Sequence, residues 1–299
     1  MIMRLDKASR ELFNITREKI KNFINNRKLL LDGYPAKPKT KINLCQCIVL
    51  LSKGCKDYEK VLKPEDIKIY IIYEDKDLMI INKNHGLVVH PSKGNIKGSL
   101  VNALLIMYHT ELIKLPRAGL VHRIDKETSG LLLIAKTLVT YKKLIKQIKD
   151  KSIIREYDAL LIGKLFSGGC IKAQIGRHFK NRKRKIVRSD GKLAITHYRV
   201  IERFKSHTYI RCWLETGRTH QIRVHMEYIN RSVIGDSIYL KKKILPNFKR
   251  QALHAHCLIF KHPSKKIKIQ VKMPKDMKIL LLLLRNNNIY TMSKKHKMV

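Results

Sequence analysis

The sequence predicts an α+β protein, a mostly antiparallel mixed-sheet core behind a small, basic α/β unit at the N-terminus. Three observations carry this reading. Residues 4–58 pattern as two short amphipathic helices followed by a hairpin. At Lys63-Pro64-Glu65-Asp66 the pattern breaks as a linker does. From residue 67 onward, short apolar runs alternate with turns and a few helices, with no internal repeat. The expected domains are 1–60 and 61–285, and the polar, basic tail at 286–299 is expected to be disordered.

Arg4-Leu5-Asp6-Lys7 opens the first helix, with Asp6 or Ser9 as candidate caps. Thr16 can cap a second helix, Arg17–Asn26, whose apolar face holds Ile20, Phe23 and Ile24. Arg17, Lys19, Lys21 and Arg27 lie on its wet side. Leu29–Leu31 runs into Asp32-Gly33, a hairpin signal, then into the basic stretch 37–41 and a strand over Ile42–Leu51. Such a unit can lay one charged face along phosphates, and a merely solvated charged face is an alternative of equal standing.

In the core, strands are expected at Ile67–Tyr73, Leu78–Asn82 and Leu87–His90, then a helix over Ser99–Tyr108 capped by Ser99. Gly119–Val121 and Leu131–Ala135 read as strands around a Thr128-Ser129-Gly130 turn. Leu138–Lys149 is an amphipathic helix and Ile153–Ile162 a strand. Residues 181–185, with Arg182 and Arg184, form a dense basic loop, a natural arm for phosphates. Strands follow at Leu193–Arg203 and Thr208–Glu215. Gly217 breaks into a helix over Arg218–Tyr228, and His254 and His256 alternate along a later strand.

The charge bounds the partner. Lys and Arg number 64 against 23 Asp and Glu, a formal +41, which points to a polyanion and most simply to nucleic acid. An anionic membrane surface is the rival, and a composition heavy in Lys, Ile and Asn supplies part of the charge. No run can span a bilayer, because Ile279–Leu284 has six residues against the ~20 required. The first ten residues lack the apolar core of a secretory signal, so a cytoplasmic location is expected. Cys45 and Cys47 share one strand face, while Cys55, Cys170, Cys212 and Cys257 are isolated. None has zinc spacing, and all six read as ordinary thiols.

The segment PRAGLVHRIDKETSGLLLIAK at 116–136 is the most informative. A lone acid, Asp125, stands two residues after Arg123 at a turn between apolar runs, where a side chain can be aimed rigidly into a cleft. In an extended segment His122 and Ile124 point one way while Arg123 and Asp125 point the other. Taken alone, Asp125 could equally hydrogen-bond the turn backbone beside a surface ion pair.

HRIDKETSGL at 122–131 resembles the signature motif of the RluA-type RNA pseudouridine synthases. The resemblance continues, in order, through IIYEDKDLMIINKNHGLVVHPSKGN (71–95), IIREYDALLIG (153–163), LETGRTHQIRVHM (214–226), GDSIY (235–239) and QALHAHCLIFKHP (251–263). The N-terminal unit is similar to the S4-type RNA-binding domain that many members carry. The stretches around HRIDKETSGL and LETGRTHQIRVHM are most similar to a D-type subgroup acting on the large ribosomal subunit.

The resemblance implies a cofactor-free isomerisation of uridine to pseudouridine in 23S (large-subunit) ribosomal RNA or a pre-ribosomal particle, by a monomer. It assigns the catalytic aspartate to Asp125, the active-site tyrosine to Tyr157, and the aspartate's salt-bridging arginine to Arg223. Arg123 matches the residue that fills the place of the flipped base. His122, Arg218 and His220 are expected beside the substrate, and Arg17, Lys19, Arg182 and Arg184 on its phosphates.

The residue types suit the chemistry. A carboxylate can attack C1′ or start an elimination, and both alternatives stay open. It must remain ionised in a closed pocket, which needs a paired cation. Arg223 is the candidate, although its spacing also allows a helix-surface pair with Glu227. Tyr157 offers a ring for the base to stack on and a hydroxyl for acid–base work, or is simply a half-buried strand tyrosine.

His220, His225, His254 and His256 lack metal-site spacing, so no metal is expected. No dinucleotide or P-loop motif occurs, as befits chemistry that needs neither redox change nor external energy. Two positions depart from the family pattern. Asn84 replaces the usual proline after the lysine, loosening that turn. Leu240 replaces glycine, which would be strained if the position required positive φ. Alternatives of other kinds are a family member acting on other 23S sites or tRNA, and an RNA-binding assembly factor whose enzymatic core has lapsed.

Overall fold

The computed structural model describes residues 3–32, 34–43, 46, 48–50, 64–91, 97–112, 114–181, 183–240 and 248–286. The chain divides into two compact units, Met1–Val61 and Leu62–Val299. The tail expected from 286 onward lies outside the described residues except for Asn286.

In the first unit β1 (Met3–Arg4) leads into α1 (Leu5–Phe13) and α2 (Arg17–Asn25). The strands β2 (Leu29–Leu31), β3 (Tyr34–Pro35), β4 (Lys41–Ile42) and β5 (Ile48–Leu50) follow. β1 pairs with β4, and β2 with both β3 and β5, over a core of Leu5, Ile20, Ile24, Leu29, Leu31 and Ile42. The single strand expected over 42–51 is therefore two short ones.

Neither Asp6 nor Ser9 caps α1, whose N-cap is Arg4 with no side-chain cap bond. Asp6 is fully buried and accepts hydrogen bonds from Arg4 and, at 2.9 Å, from Arg17 Nε. Burial alone would raise its pKa, but the two guanidinium groups hold it below the ordinary aspartate value. Thr16 does stand at the N-cap of α2, without a cap bond.

The second unit is built on a ten-stranded sheet of order β11-β10-β12-β13-β9-β14-β8-β7-β6, with β15 paired to β14. Its strands are β6 (Ile71–Glu74), β7 (Leu78–Lys83), β8 (Ser129–Ala135), β9 (Ile154–Ile162) and β10 (Gly169–Arg177). They continue with β11 (Lys185–Val187), β12 (Lys192–Arg203), β13 (His207–Leu214), β14 (Leu253–Lys261) and β15 (Lys266–Gln270). The helices are α3 (Leu100–Leu112), α4 (Leu138–Lys149), α5 (Gln221–Tyr228) and α6 (Lys275–Arg285). Every pairing is antiparallel except β14 with β8.

Strands β7 and β8 are continuous apolar runs because both faces are covered. Met79, Ile81, Leu132 and Ile134 face the cluster that includes α3 and α6. Leu78, Ile80, Leu131 and Leu133 face Leu144 of α4 together with Phe260 and Ile267. Thr137 caps α4 by accepting from the Thr140 amide, and that helix spans the expected residues.

Elsewhere the expectations shift. Residues 64–70 have no regular structure, and Leu87–His90 forms no strand, only a bridge from Val88 to Ser99. Helix α3 continues past Tyr108, whose backbone (φ −137°, ψ 40°) interrupts it. The strand expected at 119–121 is reduced to one bridge from Leu120 to Ile134, behind a turn in which Arg117, Ala118 and Gly119 all have positive φ (56°, 50° and 75°). Such a run stores strain just ahead of the segment that carries Asp125. Leu240 does not adopt a positive φ, so the glycine departure costs no backbone strain there. The strands expected on either side of the 181–185 loop are β10 and β11, which pair with each other, whereas strand β15 and helix α6 were not foreseen.

No helix among the described residues is long and apolar enough to cross a membrane. Cys170, Cys212 and Cys257 are free thiols, and Cys45, Cys47 and Cys55 lie outside the described residues.

Burial leaves several histidines neutral. It pushes His122 down to about 3, helped by the nearby Arg155 and Arg117 charges, and His225 and His254 down to about 4. The unfolded chain binds protons at these positions below about pH 6.5, whereas the folded chain does not. Stability should therefore be full above that pH and fall as pH drops toward 4, by up to ~1.4 kcal/mol per unit for each histidine. Thermal melts at pH 7.5 and 5 should show a Tm several degrees lower at pH 5, and equal values would contradict this account.

Candidate active site

The cleft is assembled by one junction in the sheet. Ala255 of β14 pairs with Gly130 of β8 on one side and with Tyr157 of β9 on the other. Gly130 is required there, since its φ is +111° and a Cβ would lie 2.2 Å from the Ala255 carbonyl oxygen. The junction brings the turn before β8, which carries Asp125, beside Tyr157. Lys83, buried at the end of β7, ties the same turn down by donating to the carbonyls of Asn84, Leu87 and Lys126 at 2.7–2.9 Å.

Residues 121–125 alternate as expected, although they form no strand. His122 and Ile124 are buried, Arg123 is exposed, and the Asp125 side chain is 18% exposed. Asp125 Oδ2 accepts from Arg223 Nη1 at 2.9 Å and lies 4.0 Å from His220 Nε2.

What aims Arg223 is Asp236. Its carboxylate takes the Nε and Nη2 hydrogens at 2.6 and 2.8 Å, so the remaining nitrogen of the planar fork points at Asp125. Asp236 is itself held by the amides of Ile238 and Tyr239. Burial would lower the Arg223 pKa, but Asp236 and then Asp125 more than offset this and hold it above the ordinary arginine value. Glu227 is not its partner, because that carboxylate pairs with Arg184 at 2.8 Å.

The Tyr239 ring lies 5.0 Å from the Arg223 guanidinium carbon, and its hydroxyl is 2.9 Å from His220 Nδ1. His220 has a left-handed backbone (φ 58°, ψ 22°) at the start of α5, a strained position of the kind found at functional sites. Gln221 locks the loop before it, bonding Ile195, Thr196, Thr216 and the Arg218 amide.

Tyr157, only 5% exposed, lines the cleft, and burial pushes its hydroxyl pKa up despite the lowering effect of Arg155. The cleft thus collects Asp125, Tyr157, Arg223, Arg123, Arg218 and His220, all singled out from the sequence. Arg123 and Arg218 are exposed at its rim.

His122 is not among the lining residues. It turns inward, and its Nε2 accepts from the Leu133 amide, supporting the loop from behind. In the first unit Arg17 is engaged by Asp6, while Lys19 is exposed. In the basic loop Arg184 is engaged by Glu227, and Arg182 lies outside the described residues.

The sequence reading gave no role to Asp236, Arg155 or Gln221, although all three lie within stretches it had marked, GDSIY, IIREYDALLIG and LETGRTHQIRVHM. Outside the cleft Asp75, Asp77 and His262 bring ligand atoms within 4.8 Å of one another. Asp75 is already occupied by the Tyr73 hydroxyl and by the amides of Asp77 and Leu78.

Comparison with known proteins gives a consistent result. A family model described as RNA pseudouridylate synthase matches residues 77–228, a span that includes Asp125, Tyr157 and Arg223. Ribosomal large subunit pseudouridine synthase D of Pseudomonas aeruginosa is 40% identical over 95% of this chain and 92% of its own. The protein of that name from Buchnera aphidicola is 48% identical over 73% of this chain and 74% of its own. The solved structure of human RNA pseudouridylate synthase domain containing 4 shares the fold, with a TM-score of 0.59 and 22% identity over 72% of this chain and 93% of that one. With these matches spanning the sheet and the cleft alike, the chain belongs to the RNA pseudouridylate synthase family, enzymes that isomerise uridine within RNA.

Proposed function

We propose that the protein converts specific uridines of 23S (large-subunit) ribosomal RNA to pseudouridine, with Asp125 acting at C1′ of a uridine flipped into the cleft. The carrying observation is the carboxylate held by Arg223 at 2.9 Å, which the buried Asp236 aims in turn. Such a charge-assisted pair fixes where the carboxylate points within the cleft. The ribosomal substrate is supported by the names of relatives that match almost end to end.

In this reading the uracil stacks on Tyr157, while exposed Arg123 fills the gap left in the RNA and offsets part of the unstacking cost. Arg218 and His220 border the ribose. The products are isomeric with the reactants, so the step needs no added group, whether Asp125 bonds C1′ or removes a proton. The basic first unit, read as S4-like, would supply phosphate affinity through residues such as Lys19. The loop around exposed Lys180 and Lys183 would do the same for the second.

Pseudouridine mapping on unmodified large-subunit rRNA, small-subunit rRNA and tRNA tests the substrate. Conversion confined to large-subunit rRNA is expected, and conversion in tRNA alone would overturn that substrate. Replacing Lys180 and Lys183 with Gln should weaken binding across sequences and lower the salt slope by about one for each phosphate no longer neutralised. An unchanged slope would remove the loop from the RNA interface.

A further inference from the structure

The described residues include three buried arginines, Arg155, Arg223 and Arg250. Arg223 has the carboxylates of Asp125 and Asp236, and Arg250 has that of Asp276. Arg155 has none. It is 6% exposed, and its one hydrogen bond is a long 3.5 Å approach of Nη2 to the Leu214 carbonyl. Its Nε is buried without any partner.

An unpaired buried cation is expensive, and arginine cannot escape by losing its proton. The fold nonetheless keeps this one in the cleft. Arg155 precedes Tyr157 by two positions on β9, so both side chains emerge on the same face of the sheet and line the same cavity. Gly217 closes over it, where a Cβ would sit 3.0 Å from Nη1. The missing counter-charge must therefore come from what enters the cleft.

Resting on the reading of Asp125 and Tyr157 given above, we propose that Arg155 is a further catalytic residue, donating hydrogen bonds to the uracil as it becomes an anion. When the N1–C1′ bond breaks, its electron pair goes to N1 and spreads onto O2 and O4. C1′ meanwhile is bonded by the Asp125 carboxylate or becomes part of a double bond by loss of a ribose proton. C5 of the uracil anion then bonds C1′, either displacing the Asp125 carboxylate or adding to the double bond as the ribose proton returns to C2′. The C5 proton then leaves to a base and N1 takes up a proton. Arg155 stays protonated throughout, stabilising a charge present only between the two bonds.

A backbone phosphate is the other anion that RNA offers. It suits Arg155 less well, because phosphates follow the chain across the rim, where Arg123 and Arg218 are exposed, whereas Arg155 sits with Tyr157 at the floor.

The test compares wild type, Arg155→Gln, Arg155→Lys and Asp125→Asn on unmodified large-subunit rRNA. It measures the single-turnover rate at saturating enzyme, RNA affinity at several salt concentrations, and thermal melting. Arg155→Gln should lose about 10²–10³-fold in saturating rate, the scale on which removal of one preorganised donor is felt. Affinity and salt slope should stay within about twofold, with melting no lower than wild type, since the cation it removes had no partner. Arg155→Lys should recover part of the rate.

A saturating rate equal to wild type, with weaker binding and a shallower salt slope, would make Arg155 a phosphate ligand and overturn the proposal. So would a rate loss accompanied by lower melting and no recovery in Arg155→Lys, which marks a structural role. If wild type converts, Asp125→Asn does not, and Arg155→Gln matches wild type, this proposal alone fails. If wild type converts no RNA, the underlying reading fails and takes the proposal with it.

Discussion

Asp125→Asn should abolish pseudouridine formation, lowering the rate by on the order of 10⁴-fold or more, the scale on which loss of a reacting group is felt in other enzymes. The substitution is nearly isosteric. Arg223 keeps its bidentate partner Asp236, so the guanidinium is not stranded and the cleft keeps its shape. RNA affinity should hardly change, because Asp125 opposes rather than attracts a polyanion. Melting temperature should also hold, since the side chain is partly exposed and contributes one of Arg223's three hydrogen bonds to carboxylates. A rate loss accompanied by unfolding would instead mark Asp125 as structural.

The second large effect is expected at Asp236, which touches no substrate. It is 1% exposed and accepts four hydrogen bonds, two from Arg223 and two from the backbone amides of Ile238 and Tyr239. Asp236→Ala removes all four hydrogen bonds and leaves Arg223 buried with a single carboxylate. Stripping a buried guanidinium of its bidentate partner, and two buried amides of their acceptor, costs on the order of 3–5 kcal/mol, although Asp125 still balances the charge. Asp236→Asn preserves shape while giving up the charge, so it should fold but release the aim of Arg223 and lower the rate by roughly 10–100-fold. Urea denaturation of Asp236→Ala and single-turnover rates of Asp236→Asn check both parts. An unchanged midpoint in the first or an unchanged rate in the second would show that Asp236 does not position Arg223.

These two residues also mark how far the sequence could be read. Asp125 was legible because HRIDKETSGL, with the motifs that follow it, resembles a known signature; a lone acid at a turn has a ready bland use in bonding the turn backbone. Asp236 was not, because its importance is a long-range fact. It pairs with Arg223 across 13 residues of chain, and no local period links a helix residue to a loop carboxylate. Arg223 itself was read with Glu227 as the alternative partner, since helical spacing makes that pair available. In the folded chain Arg184, from a loop 43 residues away, claims Glu227 instead.

The same distinction holds for the fold. Helix α4 was found over its whole length because its apolar period is a local signal. The mostly antiparallel sheet was legible from alternating runs and turns. Its central junction was not, since the parallel pairing of Gly130 with Ala255 joins segments 125 residues apart. The strand expected at 119–121 was cut short for a different reason, the turn that ends at Gly119. Arg117 and Ala118 carry side chains that ordinarily avoid positive φ, and only the surrounding packing holds them there. His122 was expected beside the substrate, yet the alternation already visible in the sequence turns it inward.

The most direct test of the central claim uses unmodified large-subunit rRNA carrying tritium at uridine C5, incubated with wild type and with Asp125→Asn. Forming the C5–C1′ bond expels the C5 hydrogen, so each turnover releases one label to water. Wild type should release label to a fixed plateau matching the pseudouridine mapped in the same RNA, and Asp125→Asn should release none while binding as tightly. Equal release by the two proteins would contradict the role of Asp125, and no release by wild type from any RNA it binds would contradict the activity itself.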